Sequence, residues 1–129
     1  MNYTTEMNGG KNTTDGMLAP TNLLSAATIT GDDVCNMQDD KLGKIQDIML
    51  DLNDGTIRYA VLSSGGFLGM GDHLFAVPWS ALKLDQDNKR FLLDVDADRI
   101  KDAPGFDKDN WPNMADASWN STIESYYRR

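Results

Sequence analysis

The sequence predicts a mainly β domain: a small antiparallel sheet closed into a barrel or a compact sandwich, with an extended strap and one short helix at its C-terminal end. Three observations predict it. Short stretches of apolar residues, alternating with polar ones, recur at fairly even spacing, the period of a pleated strand with one buried face. Turn residues, chiefly Asn, Asp and Gly, separate these stretches, as hairpins between neighbouring strands require. After Asp96 the alternation stops, and aromatic residues appear first without period and then at helical spacing.

At 129 residues the chain has the length of one domain with a sizeable core. Residues 1–22 are rich in Asn, Thr and Gly and lack sustained apolar periodicity, so they are expected to form a flexible tail. The barrel is expected over residues 23–103, and the strap and helix over 104–129. Leu23 to Thr28 makes one helical turn or an extended lead-in. A turn at Thr30 to Asp33 precedes a short strand, Val34 to Met37. A longer strand runs from Leu42 to Leu52, and its apolar residues crowd at the far end, which implies a bulge or burial on both faces there. Asn53-Asp54-Gly55 is the next hairpin turn. Ile57, Tyr59 and Val61 alternate with Arg58, Ala60 and Leu62 in the strand that follows. Leu74 to Val77 is a strand that Pro78 ends, because proline cannot donate to a ladder. Trp79 to Leu84 is a short apolar segment, and Arg90 to Val95 is the last predicted strand. Ala97 to Asp102 forms a helical turn that Pro104-Gly105 stops, and Phe106 to Met114 is an aperiodic strap. Asp116 or Ser118 caps a closing helix, whose Trp119, Ile123 and Tyr126 or Tyr127 share a face. Glu124 and Arg128 stand in the favourable order for an i,i+4 pair.

Three segments together resemble the PRC-barrel family, the β-barrel domain named after the photosynthetic reaction-centre H subunit. They are LGKIQDIMLD at Leu42 to Asp51, YAVLSSGGFLGMGDHLFAVPWSAL at Tyr59 to Leu82, and FLLDVDADRIKDAPGFDKDNWP at Phe91 to Pro112. The long form, with its GGFLGMGD loop, VPW and APGFDKDNWP, looks like the stand-alone bacterial members associated with stress response. The resemblance implies a small, strongly bent PRC-type antiparallel β-barrel followed by a C-terminal helical segment. It implies little chemistry: the family includes a reaction-centre subunit and the protein-binding domain of a ribosome-maturation factor, both of which dock on something larger. This sequence lacks the membrane helix of the first and the companion domain of the second, so neither specific role carries over.

Composition narrows the function. Twelve basic against twenty acidic residues give a net charge of −8, and the basic residues are scattered, which argues against binding to nucleic acid or to an anionic membrane. No apolar run is long enough to span a bilayer, and no secretory signal opens the chain; the expected location is the cytoplasm. The single Cys35 excludes an internal disulfide and a multi-cysteine zinc site and is expected to be a small buried hydrophobe.

The lone His73 would have to carry any catalytic triad, and no nucleophile-elbow pattern surrounds Ser63, Ser64 or Ser80. Asp94, Asp96 and Asp98, and likewise Asp107 and Asp109, alternate as calcium ligands do, but the spacing of a helix–loop–helix calcium loop is absent. The run Gly66 to Gly71 has the wrong glycine order for a phosphate loop. No catalytic, cofactor-binding or metal-binding residue is therefore expected. Phe67, Leu68 and Met70, large apolar residues between glycines, stand as either an exposed docking knob or a plug folded back on the barrel end. With Trp111, Trp119, Tyr126 and Tyr127 they make the candidate interaction surface, although the four C-terminal aromatics also suit anchors that hold strap and helix to the barrel. The expected function is a non-enzymatic adaptor that self-associates and docks on a protein partner. The alternatives are a protein that binds a small ligand or metal, or a metal-dependent hydrolase using Asp94, Asp96 or Asp107.

Overall fold

The computed structural model describes residues 23–64 and 73–128. The expected N-terminal tail and the loop holding Phe67, Leu68 and Met70 lie outside the described residues.

The chain forms α1 (Ala26–Ile29), β1 (Asp33–Cys35), β2 (Lys41–Asp51), β3 (Thr56–Ser63), β4 (His73–Pro78), a 3₁₀ turn (Trp79–Ala81), β5 (Leu82–Asp85), β6 (Arg90–Leu93), α2 (Ala97–Lys101), β7 (Gly105–Asp107) and α3 (Ala117–Tyr127). The strands make one sheet in the order β5-β6-β1-β2-β3-β4-β7. The mainly β class is as the sequence predicts. Among the described residues the ladder ends at β5 and β7 and is not hydrogen-bonded into a closed ring. One pairing departs from the antiparallel expectation: β1 runs parallel to β6, with Val34 opposite Phe91. A parallel pair needs a long crossover, and the chain between β1 and β6 supplies one in the form of β2 to β5.

Turn chemistry sets the local geometry. Asn36 is buried, and its side-chain carbonyl accepts the backbone N–H groups of Gln38 and Asp40 at 3.0 and 2.9 Å, closing the β1–β2 turn in the manner of an Asx turn. The β2–β3 turn ends at Gly55 with φ of +69°, and the Gly55 N–H donates to the Asp51 carbonyl at 2.8 Å. Strand β2 shifts register against β3 between Ile45 and Asp47 and again between Met49 and Leu50. Bulges of this kind bend and twist a strand, and they account for the crowded apolar residues at its far end.

The core is built from Leu42, Ile45, Leu62, Phe75 and Leu93 of the sheet with Ile100 from α2 and Ile123 from α3. Tyr59, Ala60, Val61 and Leu62 are all buried, so the middle of β3 is covered on both faces and not on one as its alternation predicts. Helix α3 supplies part of that cover: Trp119 meets the Tyr59 ring edge-on at 5.3 Å, and the Tyr59 hydroxyl donates to the Asn120 side-chain carbonyl. The Asp116 carboxylate caps α3 by accepting the Ser118 N–H at 2.8 Å. At the other end of the helix Arg99 lies over the Tyr126 ring at 4.1 Å and donates to the Tyr126 carbonyl, while the Tyr126 hydroxyl donates to the Arg99 carbonyl. These contacts tie α2 to α3. The expected Glu124–Arg128 pair is not among the ion pairs of the described residues. Arg128 has left the helix, with φ of −72° and ψ of 136°, so the i,i+4 spacing no longer applies to it.

Two adjacent carboxylates behind α1 differ in their surroundings. Asp33 bridges Lys41 and Lys44 at 3.1 Å each, and these bonds outweigh its burial and hold it below the usual carboxylate range. The Oδ2 atom of Asp32 is buried and accepts no hydrogen bond among the described residues. Burial first, and then the charge of Asp33, push its carboxyl up to about 6, with Lys44 pulling the other way. A carboxyl raised in the folded state is easier to ionise after unfolding, so Asp32 costs stability as pH rises through that interval. Asp32→Asn should therefore melt several degrees higher than wild type above about pH 7 and show little advantage below about pH 4. Melting curves at the two pH values check this, and an equal offset at both would show that ionisation of Asp32 is not the cause.

Candidate functional site

The β2–β3 hairpin extends beyond its neighbours. Strand β1 reaches β2 only from Lys41 to Lys44, and β4 reaches β3 only from Tyr59 to Ser63. From Leu50, opposite Ile57, outward through Asp51, opposite Thr56, the two strands form a ribbon that among the described residues has no third strand on either side. A ribbon of this kind is expected to be polar, because water reaches both faces. Here it carries Leu50 and Ile57, with Leu52 in the turn just beyond; Leu50 is 59% and Leu52 87% exposed, while the half-buried Ile48 and Met49 lie farther inward, where β4 still flanks β3.

A cleft flanks the ribbon on each side. The first, of about 290 Å³, lies between the hairpin and α1, with Leu24, Ala27 and Ile29 facing Ile48, Leu50 and Ile57. The second, of about 390 Å³, lies between the hairpin and the segment leading into α3, where Met49, Leu52 and Tyr59 face Met114 and Asn120. Leu50 borders both. Charge around them is mostly acidic. Asp51 accepts the Asn53 N–H at 3.0 Å and pairs with Arg58 at 3.3 Å, and the Asn53 bond followed by Arg58 holds its carboxyl below the usual range. That pairing occupies the one cation of the hairpin tip. The Asp47 carboxylate accepts the Ile48 N–H at 2.8 Å. Among the described residues neither Asp47 nor Asp54 forms an ion pair.

The model of the PRC-barrel domain matches residues 22–100, well over half of the chain. The chain belongs to the PRC-barrel family. The matched PRC segment contains the whole hairpin and both of its strands and ends within α2; β7 and α3 lie beyond it. Among solved structures the chain is similar to a 16S ribosomal RNA processing protein, RimM, of Pseudomonas aeruginosa, with 17% identity and a TM-score of 0.43. That likeness covers 67% of this chain and 50% of RimM, so the chain spans about half the length of that neighbour. No curated protein matches it.

Of the candidate surface residues of this PRC-barrel chain, the structure describes Trp111, Trp119, Tyr126 and Tyr127. Phe67, Leu68 and Met70 lie outside the described residues. Trp111, 37% exposed, packs on Phe106 at 5.1 Å and donates its indole N–H to the Lys108 carbonyl at 2.8 Å. Trp119 sits on Tyr59, Tyr126 on Arg99, and Tyr127 is buried with 5% exposure. Burial, and then Tyr126, push the Tyr127 phenol up from its ordinary value. The structure brings Tyr126 and Tyr127 together at 5.2 Å and sets Trp111 on a different element. Tyr127 also borders a third cleft of about 490 Å³, where Lys83, Asp94, Glu124 and Arg128 give mixed charge.

His73 stands 3.9 Å from Asp107 across β4–β7 and packs edge-on against Phe75 at 5.3 Å. Among the described residues no group of three or more His, Cys, Asp or Glu side chains is placed to hold a metal. Among the described residues no helix is long and apolar enough to cross a membrane. Sequence reasoning missed Leu50 and Leu52 as surface residues, although the apolar crowding at the end of β2 was their signal.

Proposed function

We propose that this chain is a non-enzymatic PRC-barrel adaptor that docks on a protein partner through the end of its β2–β3 hairpin. The exposure of Leu50 and Leu52 at the end of the two-stranded hairpin carries the reading. Apolar side chains held in water on a two-stranded ribbon favour association, since covering each one recovers hydrophobic free energy. Membership of the PRC family supports a docking role. Self-association through Phe67, Leu68 and Met70 belongs to the same proposal, and so does a place in stress response, which rests on the resemblance to stand-alone bacterial members.

The test is a crosslinking pull-down from the host with wild-type bait beside a Leu50→Ser, Leu52→Ser double variant. Both positions are exposed, so the variant should melt within about 1 kcal/mol of wild type. The expected result is a partner recovered in near-stoichiometric amount by wild type and lost by the variant. Recovery of the same protein by both baits would take the hairpin out of the proposal, and recovery of nothing by either would count against the adaptor itself.

A further inference from the structure

We infer that the cleft between α1 and the β2–β3 hairpin receives an amphipathic helix of the partner, with an apolar stripe flanked by Lys or Arg. This deepens the adaptor reading and rests on it.

The floor of the cleft is apolar, formed by Ile29, Ile48, Leu50 and Ile57. The one charged residue in its lining is Asp47, which among the described residues forms no ion pair; Asp54 stands exposed beyond the lining at the hairpin tip, and Arg58, on the other cleft, is engaged by Asp51. An occupant that covers the floor must meet the Asp47 carboxylate, and a cationic flank turns that meeting into attraction. The backbone argues for a helix over an added strand. At Ile45 the outer edge of β2 is still held, its carbonyl accepting the Gly31 N–H at 2.7 Å and its N–H donating to the Asp32 carbonyl at 2.9 Å; beyond it β1 no longer pairs, yet a bulge on each side of Ile48 and the charged Asp47 interrupt the edge. Bulges and edge charges are devices that block strand addition. Side chains, not backbone groups, then remain to make the contact, which is how a helix lies in a groove.

Two other occupants fit less well. A second copy brings the same net charge of −8. Residues 1–22 contain one lysine against one glutamate and one aspartate, without a cationic stripe.

The test measures binding of a fluorescent synthetic peptide of leucine and lysine in helical repeat, beside a scrambled peptide of the same composition, to the full chain. The scrambled peptide controls for simple attraction to an acidic protein. Wild type should bind the amphipathic peptide at least about tenfold more tightly than the scrambled one. Leu50→Ser should lose most of that difference. Asp47→Asn should weaken binding several-fold and reduce its salt dependence, whereas Asp87→Asn, in the distant β5–β6 turn, should leave it unchanged. Equal binding of both peptides, or no loss with Leu50→Ser, would overturn the inference. So would binding that appears only when residues 1–22 are removed, or a dimer in light scattering that Leu50→Ser dissociates; these name the chain itself or a second copy as the occupant. A partner that is captured through the hairpin while the peptide fails to bind would leave the adaptor standing and remove only the basic helix.

Discussion

Gly43→Ala should lower the melting temperature by on the order of 10 °C, the equivalent of about 3 kcal/mol in a domain of this size. Gly43 lies in β2 opposite Val34 of β1, and the adjacent Lys44 faces Ser63 of β3. A Cβ there would stand 2.6 Å from the Ser63 carbonyl oxygen and 3.2 Å from its carbon. Those are backbone atoms within a ladder, so relief requires the strands to separate where the sheet is buried. A flexible side chain could have swung aside; a paired carbonyl has no such freedom. Gly55 provides the control, because it has φ of +69° but nothing within 4 Å of its notional Cβ. Gly55→Asn should cost below about 1 kcal/mol, since asparagine tolerates that conformation. A Gly43→Ala protein that melts as wild type would show that β1, β2 and β3 are not packed as described.

Ile123→Ala should destabilise the domain by about 3 kcal/mol, within the usual range for removing a fully buried aliphatic side chain. Ile123 is completely buried on the inner face of α3, outside the segment matched by the family model. Its neighbours along the helix, Trp119 and Tyr126, are held by Tyr59 of β3 and Arg99 of α2. The helix is thus fixed at both ends and in the middle, and it should unfold with the sheet as one unit. Urea unfolding checks this: the midpoint should fall with the slope unchanged. A loss below about 1 kcal/mol would mean that α3 frays separately from the sheet.

How much of this was legible in the sequence depended on the range of the interactions involved. Strands β2, β3 and β4 were readable from local signals: apolar patterning and the Asn53-Asp54-Gly55 turn for β2 and β3, and for β4 the apolar run Leu74 to Val77 ended by Pro78. Strand β7 was not. It has three residues, only Phe106 is buried, and its pairing with His73 to Phe75 is set by β4 and not by its own pattern. The parallel β1–β6 pairing was hidden for the same reason. The cap at Asp116 was readable as a choice between two residues, and the geometry selects one of them. For the site, the crowding of Ile48, Met49, Leu50 and Leu52 was visible, but whether crowded residues are covered depends on where β1 and β4 end. Composition cannot reveal that.

The most direct measurement of the central claim is the pull-down with wild-type, hairpin-variant and loop-variant baits, the last carrying Phe67→Ser and Leu68→Ser. A hairpin that docks the partner predicts capture by wild type and by the loop variant, and loss only with Leu50→Ser, Leu52→Ser. Capture that survives the hairpin substitutions in a normally folded protein would contradict it.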